Sequence, residues 1–156
     1  MNAATSDSWK TQPMPEQVAT LHYSASFTQA EFDLISVGLV PKEMEDKWFI
    51  FLHESTLHLH RSWTGACMYE VDLERIGSGY LVREARVNRR SEQYASTDDL
   101  YDAKLLHFLI ANLLLGHREP FPAPTDGMSD GQRALFQHHI SGTSHADAPV
   151  RKKPRA

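Results

Sequence analysis

Between residues 48 and 90 the chain reads as a series of short strands divided by turn residues. The segments WFIFLHE, LHLHRSW, ACMYEVDLE and YLVREARVN are separated by Ser55-Thr56, by Thr64-Gly65 and by a turn at residues 76–79. Apolar or alternating runs of this length, bounded by turn residues, are typical of consecutive antiparallel strands. The sequence therefore predicts an antiparallel sheet of about four strands over roughly residues 47–90.

Helix signals lie on both sides of this region. In FTQAEFDLISVGLVP, Thr28 and Glu31 form a capping box and Gly38 supplies a stop, which predicts a short helix at about 29–37. The segment TDDLYDAKLLHFLIANLLLGH is apolar on nearly every face, so we expect a buried helix at about 100–115 packed on the sheet. A last short helix is predicted at about 130–141. The predicted fold class is α+β.

The length and the apolar content suit a single core. The chain has 156 residues, of which 41% are hydrophobic. Residues 1–20 mix polar residues and prolines without periodicity, so we expect them to be disordered. Residues 21–142 are predicted to form one globular domain, and residues 143–156 a disordered basic tail.

Charge and cysteine content limit the class of protein. The tail RKKPRA holds four of the sixteen basic residues and no acid, so the preceding 150 residues carry 12 basic and 20 acidic side chains. An acidic body argues against a nucleic-acid binder, except through the tail. Cys67 is the single cysteine, which excludes an intramolecular disulfide, and no apolar run reaches membrane-spanning length. We expect a cytoplasmic protein without a membrane partner.

Three histidines form the first candidate site. If Ser55-Thr56 is a two-residue loop, His53 lies opposite His58, and His60 follows on the same face. Neutral imidazoles so placed can share zinc or another divalent metal ion. The alternative is a half-exposed sheet face on which these histidines pack beside aromatic residues.

A basic strand forms the second candidate site. In RIGSGYLVREARVNRR, Arg83 and Arg86 belong to a run of five arginines with one glutamate. Guanidinium groups suit phosphate or carboxylate ligands, which accept two parallel hydrogen bonds. The alternative is an edge strand that its charges protect from self-association.

The third candidate is HRSWTG at residues 60–65. Alternation places His60 and Ser62 on one face and Arg61 and Trp63 on the other. Arg61 and Trp63 could clamp a planar or anionic ligand. Alternatively, Trp63 anchors the core opposite Trp48. No nucleophile-and-base motif accompanies Ser62, and we expect the Cys67 thiol to be buried and structural.

The run MEDKWFIFLHESTLHLHRSWTGACMYEV, with the preceding VGLVPKEM, resembles the core of a family of small, uncharacterised bacterial domains. The resemblance covers about residues 27–90 and brings no activity with it. It implies that eight residues belong to a shared pattern: Asp46, Lys47, Trp48, His60, Arg61, Ser62, Trp63 and Gly65.

Three functions are open at this point. The leading prediction is a binding module for an anionic, phosphate- or nucleotide-like ligand or an acidic partner surface, which uses His60, Arg61, Ser62, Trp63, Arg83 and Arg86. The second is a hydrolytic or nucleotide-processing enzyme that uses the face of His53, His58 and His60, with or without a metal. The third is a protein-interaction partner such as an immunity or accessory factor.

Overall fold

The structure is a computed structural model that describes residues 3–122. Within them the chain forms six strands and two helices. The strands are Val18–Leu21 (β1), Ser26–Thr28 (β2), Trp48–His53 (β3), Thr56–Arg61 (β4), Cys67–Ile76 (β5) and Gly79–Asn88 (β6), and the helices are Gln29–Val37 (α1) and Asp99–Leu109 (α2). The predicted α+β class is confirmed, with more strands than the four that the sequence indicates.

All six strands belong to one antiparallel sheet. Its order is β1-β6-β5-β4-β3, and β2 also pairs with β6. Strand β6 is long enough to take both short strands, since β1 pairs with residues 85–88 and β2 with residues 79–81. Strands of three or four residues are too short to show a period in the sequence, which is why β1 and β2 were not predicted.

Helix α1 begins and ends where its capping residues predict, and α2 begins near its predicted start. The Thr28 side chain accepts from the Glu31 amide at 3.1 Å, and the Glu31 carboxylate accepts from the Thr28 amide at 2.9 Å. Gly38 then ends α1 with a φ of 73°. Asp98 caps α2 by accepting from the Tyr101 amide. The α-helix ends at Leu109, and a π-helical turn, Ile110–Leu114, completes the segment predicted as helix.

Both helices cover one face of the sheet. The main core joins that face to Ile35 of α1 and to Leu105, Leu106 and Leu109 of α2. Because neighbouring residues of a strand point to opposite faces, WFIF divides its side chains between two clusters. Trp48 and Ile50 enter the main core, whereas Phe49 and Phe51 form a smaller cluster with Ala4 and Val40 on the other face. We call that other face the outer face.

The N-terminal segment differs from the expected disorder. The Ala4 amide donates to the Val37 carbonyl at 2.8 Å, and the Gln12 amide donates to the Gly65 carbonyl at 2.8 Å. Further along, the Arg89 amide donates to the Gln17 carbonyl at 2.7 Å, just before β1 begins. These partners lie far away in the chain, so an aperiodic segment acquires its place from tertiary contacts that its own sequence does not display.

Two predictions fall beyond the described part of the chain. The helix at about 130–141 and the basic tail at 143–156 lie outside residues 3–122. Among the residues that are described, no helix combines the length and the apolar character needed to cross a bilayer.

Candidate functional site

The HRSWTG segment separates its side chains instead of gathering them. His60 and Ser62 are buried, Arg61 is partly buried, and Trp63 is 56% exposed. Strand β4 ends at Arg61, and the chain turns at Gly65, where φ is 82°. The segment is therefore a strand end in which one aromatic ring remains on the surface.

Ser62 forms hydrogen bonds with the backbone around it. Its amide donates to the Lys47 carbonyl at 2.9 Å, and its hydroxyl donates to the Asp46 carbonyl at 2.7 Å. Its own carbonyl accepts from the Trp9 indole at 2.7 Å. Ser62 thus holds two loops together at the end of the sheet, and its buried hydroxyl does not face solvent where a ligand would bind.

Arg61 and Trp63 do not form the expected clamp. Arg61 pairs with Trp48 in the β3–β4 register, and its guanidinium carbon lies 5.1 Å from the centre of the Trp48 ring. Burial lowers the pKa of Arg61. The Trp63 indole donates to the Met44 carbonyl at 2.9 Å, and the Lys47 ammonium lies 4.1 Å from its ring centre. The alternative in which Trp63 faces Trp48 is also wrong, because Arg61 occupies that position.

The arginines of β6 face carboxylates. Arg86 bonds to Asp72 at 2.9 Å, to Glu70 at 3.2 Å and to Glu84 at 3.2 Å, while Arg83 lies 3.4 Å from Asp72. The hydrogen bonds from Arg86 hold the pKa of Asp72 below its usual range. Arg86 therefore already faces three carboxylates within the sheet, and its predicted anion-binding role stays a prediction.

The register of the first hairpin corrects the histidine site. The turn consists of Glu54 and Ser55, so His53 pairs with Thr56 and not with His58. His53 is 67% exposed by its side chain and lies 3.8 Å from Glu54. His58 pairs with Phe51 instead. The cause is the left-handed conformation of Glu54, with a φ of 58°, which places the turn one residue earlier than expected.

His58 and His60 remain together on the outer face. Their ring centres are 6.4 Å apart, and the Phe51 ring stacks on both, at 4.8 Å from His58 and 5.6 Å from His60. Burial lowers the pKa of His60. The predicted packing of histidine beside aromatic residues is thus present, and two of the three predicted metal ligands stay adjacent.

Cys67 joins these two histidines. One nitrogen of each imidazole and the Cys67 sulfur lie within 4.8 Å of one another. The thiol is buried, as predicted, and burial raises its pKa. The sequence shows no signal for this contact, because it depends on a β-bulge between β4 and β5 that carries no distinctive residue.

A groove that the sequence did not predict lies beside helix α2, which packs on the face of the sheet opposite the outer face. It has a volume of about 520 Å³ and runs between residues 22–24, helix α2 and residues 119–122. The polar residues in its wall are His22, Tyr23, Ser24, Lys104, His107 and Glu119. A usable signal existed, since Leu100, Lys104 and His107 follow the i, i+4, i+7 spacing of one helix face.

A chain of polar side chains crosses this groove. The Tyr23 hydroxyl lies 3.1 Å from His107 Nδ1, and His107 Nε2 lies 3.1 Å from a Glu119 carboxylate oxygen. The other carboxylate oxygen of Glu119 lies 3.5 Å from His117. Burial raises the pKa of Tyr23, so its hydroxyl keeps its proton and can donate.

Asn112 fixes the position of Glu119. Its side-chain nitrogen donates to the Glu119 carbonyl at 3.0 Å, and its side-chain oxygen accepts from the Glu119 amide at 3.1 Å. Asn112 lies in the π-helical turn, a kind of irregularity that is frequent at functional sites. The groove therefore has a wall whose acidic side chain is held in place through its backbone.

Comparisons with protein-family models, with curated proteins and with solved structures found no match. The resemblance to a bacterial domain family over residues 27–90 thus stays a prediction.

Proposed function

We propose that the protein is a small binding module for an anionic organic molecule with an apolar body, held in the groove beside helix α2. The observation that carries the proposal is the cavity of about 520 Å³ itself, in which apolar walls meet a lysine and two imidazoles. Ligand pockets of this size are commonly lined by apolar side chains with a few convergent polar groups.

The apolar part of the wall is suited to a planar or aliphatic body. Leu100 is 71% exposed, which leaves a large apolar side chain open to the groove, and Phe108, Pro120 and Pro122 lie beside it. Covering such a surface removes apolar area from water, which favours binding at roughly 25 cal/mol per Å² before the costs of association.

The polar part of the wall favours a negative group. Lys104 supplies the formal positive charge, and His22 adds ring nitrogens, whereas both nitrogens of His107 already face Tyr23 and Glu119. Glu119 is the lining carboxylate, and both of its oxygens already have imidazole partners. A phosphate or carboxylate therefore meets an ammonium group in a wall whose one acid already pairs with two histidines.

This proposal moves the anion-binding role to different residues. Arg86 and Arg83 have carboxylate neighbours on the sheet, and Arg61 packs on Trp48. Lys104 has no such acidic neighbour among the ion pairs of residues 3–122. The binding class expected from the sequence is kept, and the groove replaces the arginine strand as its site. With a single cysteine, we place the protein in a reducing cytoplasm.

A thermal-shift screen of the full chain tests the proposal. The probes are phenyl phosphate and adenosine monophosphate, with inorganic phosphate and phenol as the separated halves of the first. A ligand that binds only the folded state raises the unfolding midpoint. We expect phenyl phosphate to raise it more than either half does. In Lys104→Gln the shift should fall, whereas Lys42→Gln, a lysine of the loop before β3, should keep it.

Two results would contradict a site for anions in the groove. One is a wild-type midpoint that none of the four probes raises. The other is an equal shift in wild type and Lys104→Gln, because this would show that the charge of Lys104 plays no part.

An enzyme is the second candidate, favoured by the alignment of Tyr23, His107 and Glu119. An imidazole held between a hydroxyl and a carboxylate resembles the arrangement of a general base and the group that orients it. If the groove is catalytic, the phosphate ester that raises the unfolding midpoint should be hydrolysed. Phosphorus NMR should then show inorganic phosphate accumulating with wild type and not with His107→Gln. A stable ester that binds without turnover leaves the binding module as the function.

A further inference from the structure

The outer face carries a second set of chemically active side chains, away from the groove. His58 and His60 lie on β4 and Cys67 begins β5, with one donor atom of each within 4.8 Å of the others. His60 and Cys67 are almost fully buried, and the side chain of His58 is 20% exposed. Solvent therefore reaches this cluster at His58, whereas His60 and Cys67 are shielded from it.

A β-bulge brings the sulfur into this cluster. Leu59 pairs with Tyr69, but the next residue, His60, pairs with Cys67, so Met68 is the extra residue. In a regular ladder Met68 would face His60. Bulges commonly re-aim a side chain next to a functional site, and here the bulge substitutes a thiol for a thioether opposite an imidazole.

The hydrogen bonds around the imidazoles determine which nitrogen is free for a ligand bond. His60 Nδ1 lies 2.8 Å from the Gly65 carbonyl, which can only accept, so Nδ1 carries the hydrogen. His58 Nδ1 lies 3.3 Å from one carboxylate oxygen of Glu70. The other carboxylate oxygen of Glu70 lies 3.2 Å from the Arg86 guanidinium. Both rings therefore keep the lone pair on Nε2.

This arrangement is the one that metal-binding histidines show. Such residues donate their second ring N–H to a carboxylate or a backbone carbonyl, which sets the tautomer and the direction of the ring. Glu70 and Gly65 supply one acceptor of each kind. The stacked Phe51 ring, parallel to both imidazoles within 18°, further restricts their rotation.

We propose that His58, His60 and Cys67 bind a transition-metal ion of the Zn²⁺ class. Two imidazole nitrogens and one thiolate suit zinc, cobalt(II) or copper(I) and not magnesium or calcium, which prefer oxygen. Three protein ligands leave a fourth position for water or another small ligand. On binding, a sulfur–metal bond replaces the thiol S–H bond, the proton passes to solvent, and no electron is transferred.

The distances are compatible with such an ion after a small adjustment. Ligand atoms around tetrahedral zinc, with bonds of about 2.0–2.3 Å, are roughly 3.5 Å apart. One nitrogen of each ring and the sulfur lie within 4.8 Å of one another, so binding requires the three side chains to approach one another by about 1 Å. His53, the third ligand that the sequence predicted, is replaced by Cys67.

Cobalt(II) titration of the full, untagged chain in a phosphine reductant tests the site. We expect one tetrahedral ion per chain, seen as visible d–d absorption, together with a near-ultraviolet thiolate-to-cobalt charge-transfer band that Zn²⁺ abolishes by competition. The chain has nine histidines, and this band separates the site from adventitious imidazole binding, since Cys67 is the single cysteine.

Variants identify the ligands. Cys67→Ala should lose the charge-transfer band, and His58→Gln should weaken cobalt binding by more than about a hundredfold, beyond the effect of losing an outer hydrogen bond. Glu70→Gln, which removes such a bond, should weaken it by about tenfold. His53→Gln, on the same hairpin, is the matched control and should bind as wild type does.

The wild-type spectrum decides the outcome even if Cys67→Ala fails to fold. No charge-transfer band at saturating cobalt would overturn the proposal, and so would a folded His58→Gln that binds cobalt as tightly as wild type. Because the groove shares none of these residues, either result leaves the binding-module proposal to its own test.

Discussion

The Tyr69 hydroxyl donates a 2.7 Å hydrogen bond to the Asp102 carboxylate, which connects strand β5 in the middle of the sheet to helix α2. Asp102 is fully buried. Tyr94 donates to the same oxygen at 2.6 Å, and Arg89 donates to the other oxygen at 2.7 Å. A buried carboxylate with this many donors holds the connection between β6 and α2 in a fixed position.

Asp102→Asn should be among the most destabilising single changes in the molecule. It removes the charge that compensates the largely buried Arg89 and turns one acceptor oxygen into a donor. Breaking a buried ion pair from one side costs about 3–5 kcal/mol, and urea unfolding measures the loss. Asp99→Asn is the control, because Asp99 is half-exposed and its bond to Arg89 should contribute no more than about 1 kcal/mol. Equal losses in the two variants would contradict this account.

The pair of Asp72 and Arg86 predicts a loss of stability in acid. The hydrogen bonds from Arg86 lower the pKa of Asp72 in the folded state below the value of about 3.9 expected for the unfolded chain. The stabilisation is therefore present above that value and disappears as the pH falls through the folded-state pKa.

Asp72→Asn provides the measurement for that pair. Between about pH 6 and about pH 3, the free energy of unfolding should fall less steeply in this variant than in wild type, because it has one fewer depressed carboxyl to protonate. Asp7→Asn, in the exposed N-terminal segment, controls for a change of net charge. Identical slopes for wild type and Asp72→Asn would refute the assignment.

Two tryptophans in neighbouring segments should respond oppositely to truncation. Trp48 is almost fully buried in the main core, so Trp48→Ala should cost about 3–5 kcal/mol. Trp63 is mostly exposed and held by one hydrogen bond and the Lys47 ammonium, so Trp63→Ala should stay within about 1 kcal/mol of wild type. Chemical denaturation followed by circular dichroism checks both, and a severe loss in Trp63→Ala would make that ring a core anchor after all.

Substitutions at two glycines with positive φ should distinguish the cost of backbone strain from the cost of steric crowding. At Gly38, φ is 73° and an added Cβ would collide with the Ile50 carbonyl and come within 3.0 Å of Ala4. At Gly77, φ is 62° and nothing lies within 4 Å. Gly77→Ala should therefore cost only the left-handed penalty of about 1–2 kcal/mol. Gly38→Ala should cost clearly more, and thermal unfolding of the two variants should show this order of midpoints.

The fold depends on signals that are local in the chain. The capping box of Thr28 and Glu31 and the stop at Gly38 each act within one helical turn, so the residues alone predict them. The turn residues between β3 and β6 likewise predict the meander. Strands β1 and β2 were not predicted, because both are short and their partner residues lie 51–70 positions away in the chain.

The candidate sites depend on cross-strand register, which one residue can change. A left-handed Glu54 moves the turn and removes His53 from the histidine face, and one bulge at Met68 brings Cys67 to His60. A shift of one residue turns a side chain to the other face of a sheet, so the pattern along a strand cannot specify its neighbour across the sheet. The chain alone therefore determined the two described helices and the α+β class. Only the tertiary structure decided which donors meet at Cys67, which acids neutralise Arg86 and which side chains enclose the groove at His107, because each of these contacts joins segments that no local interaction aligns.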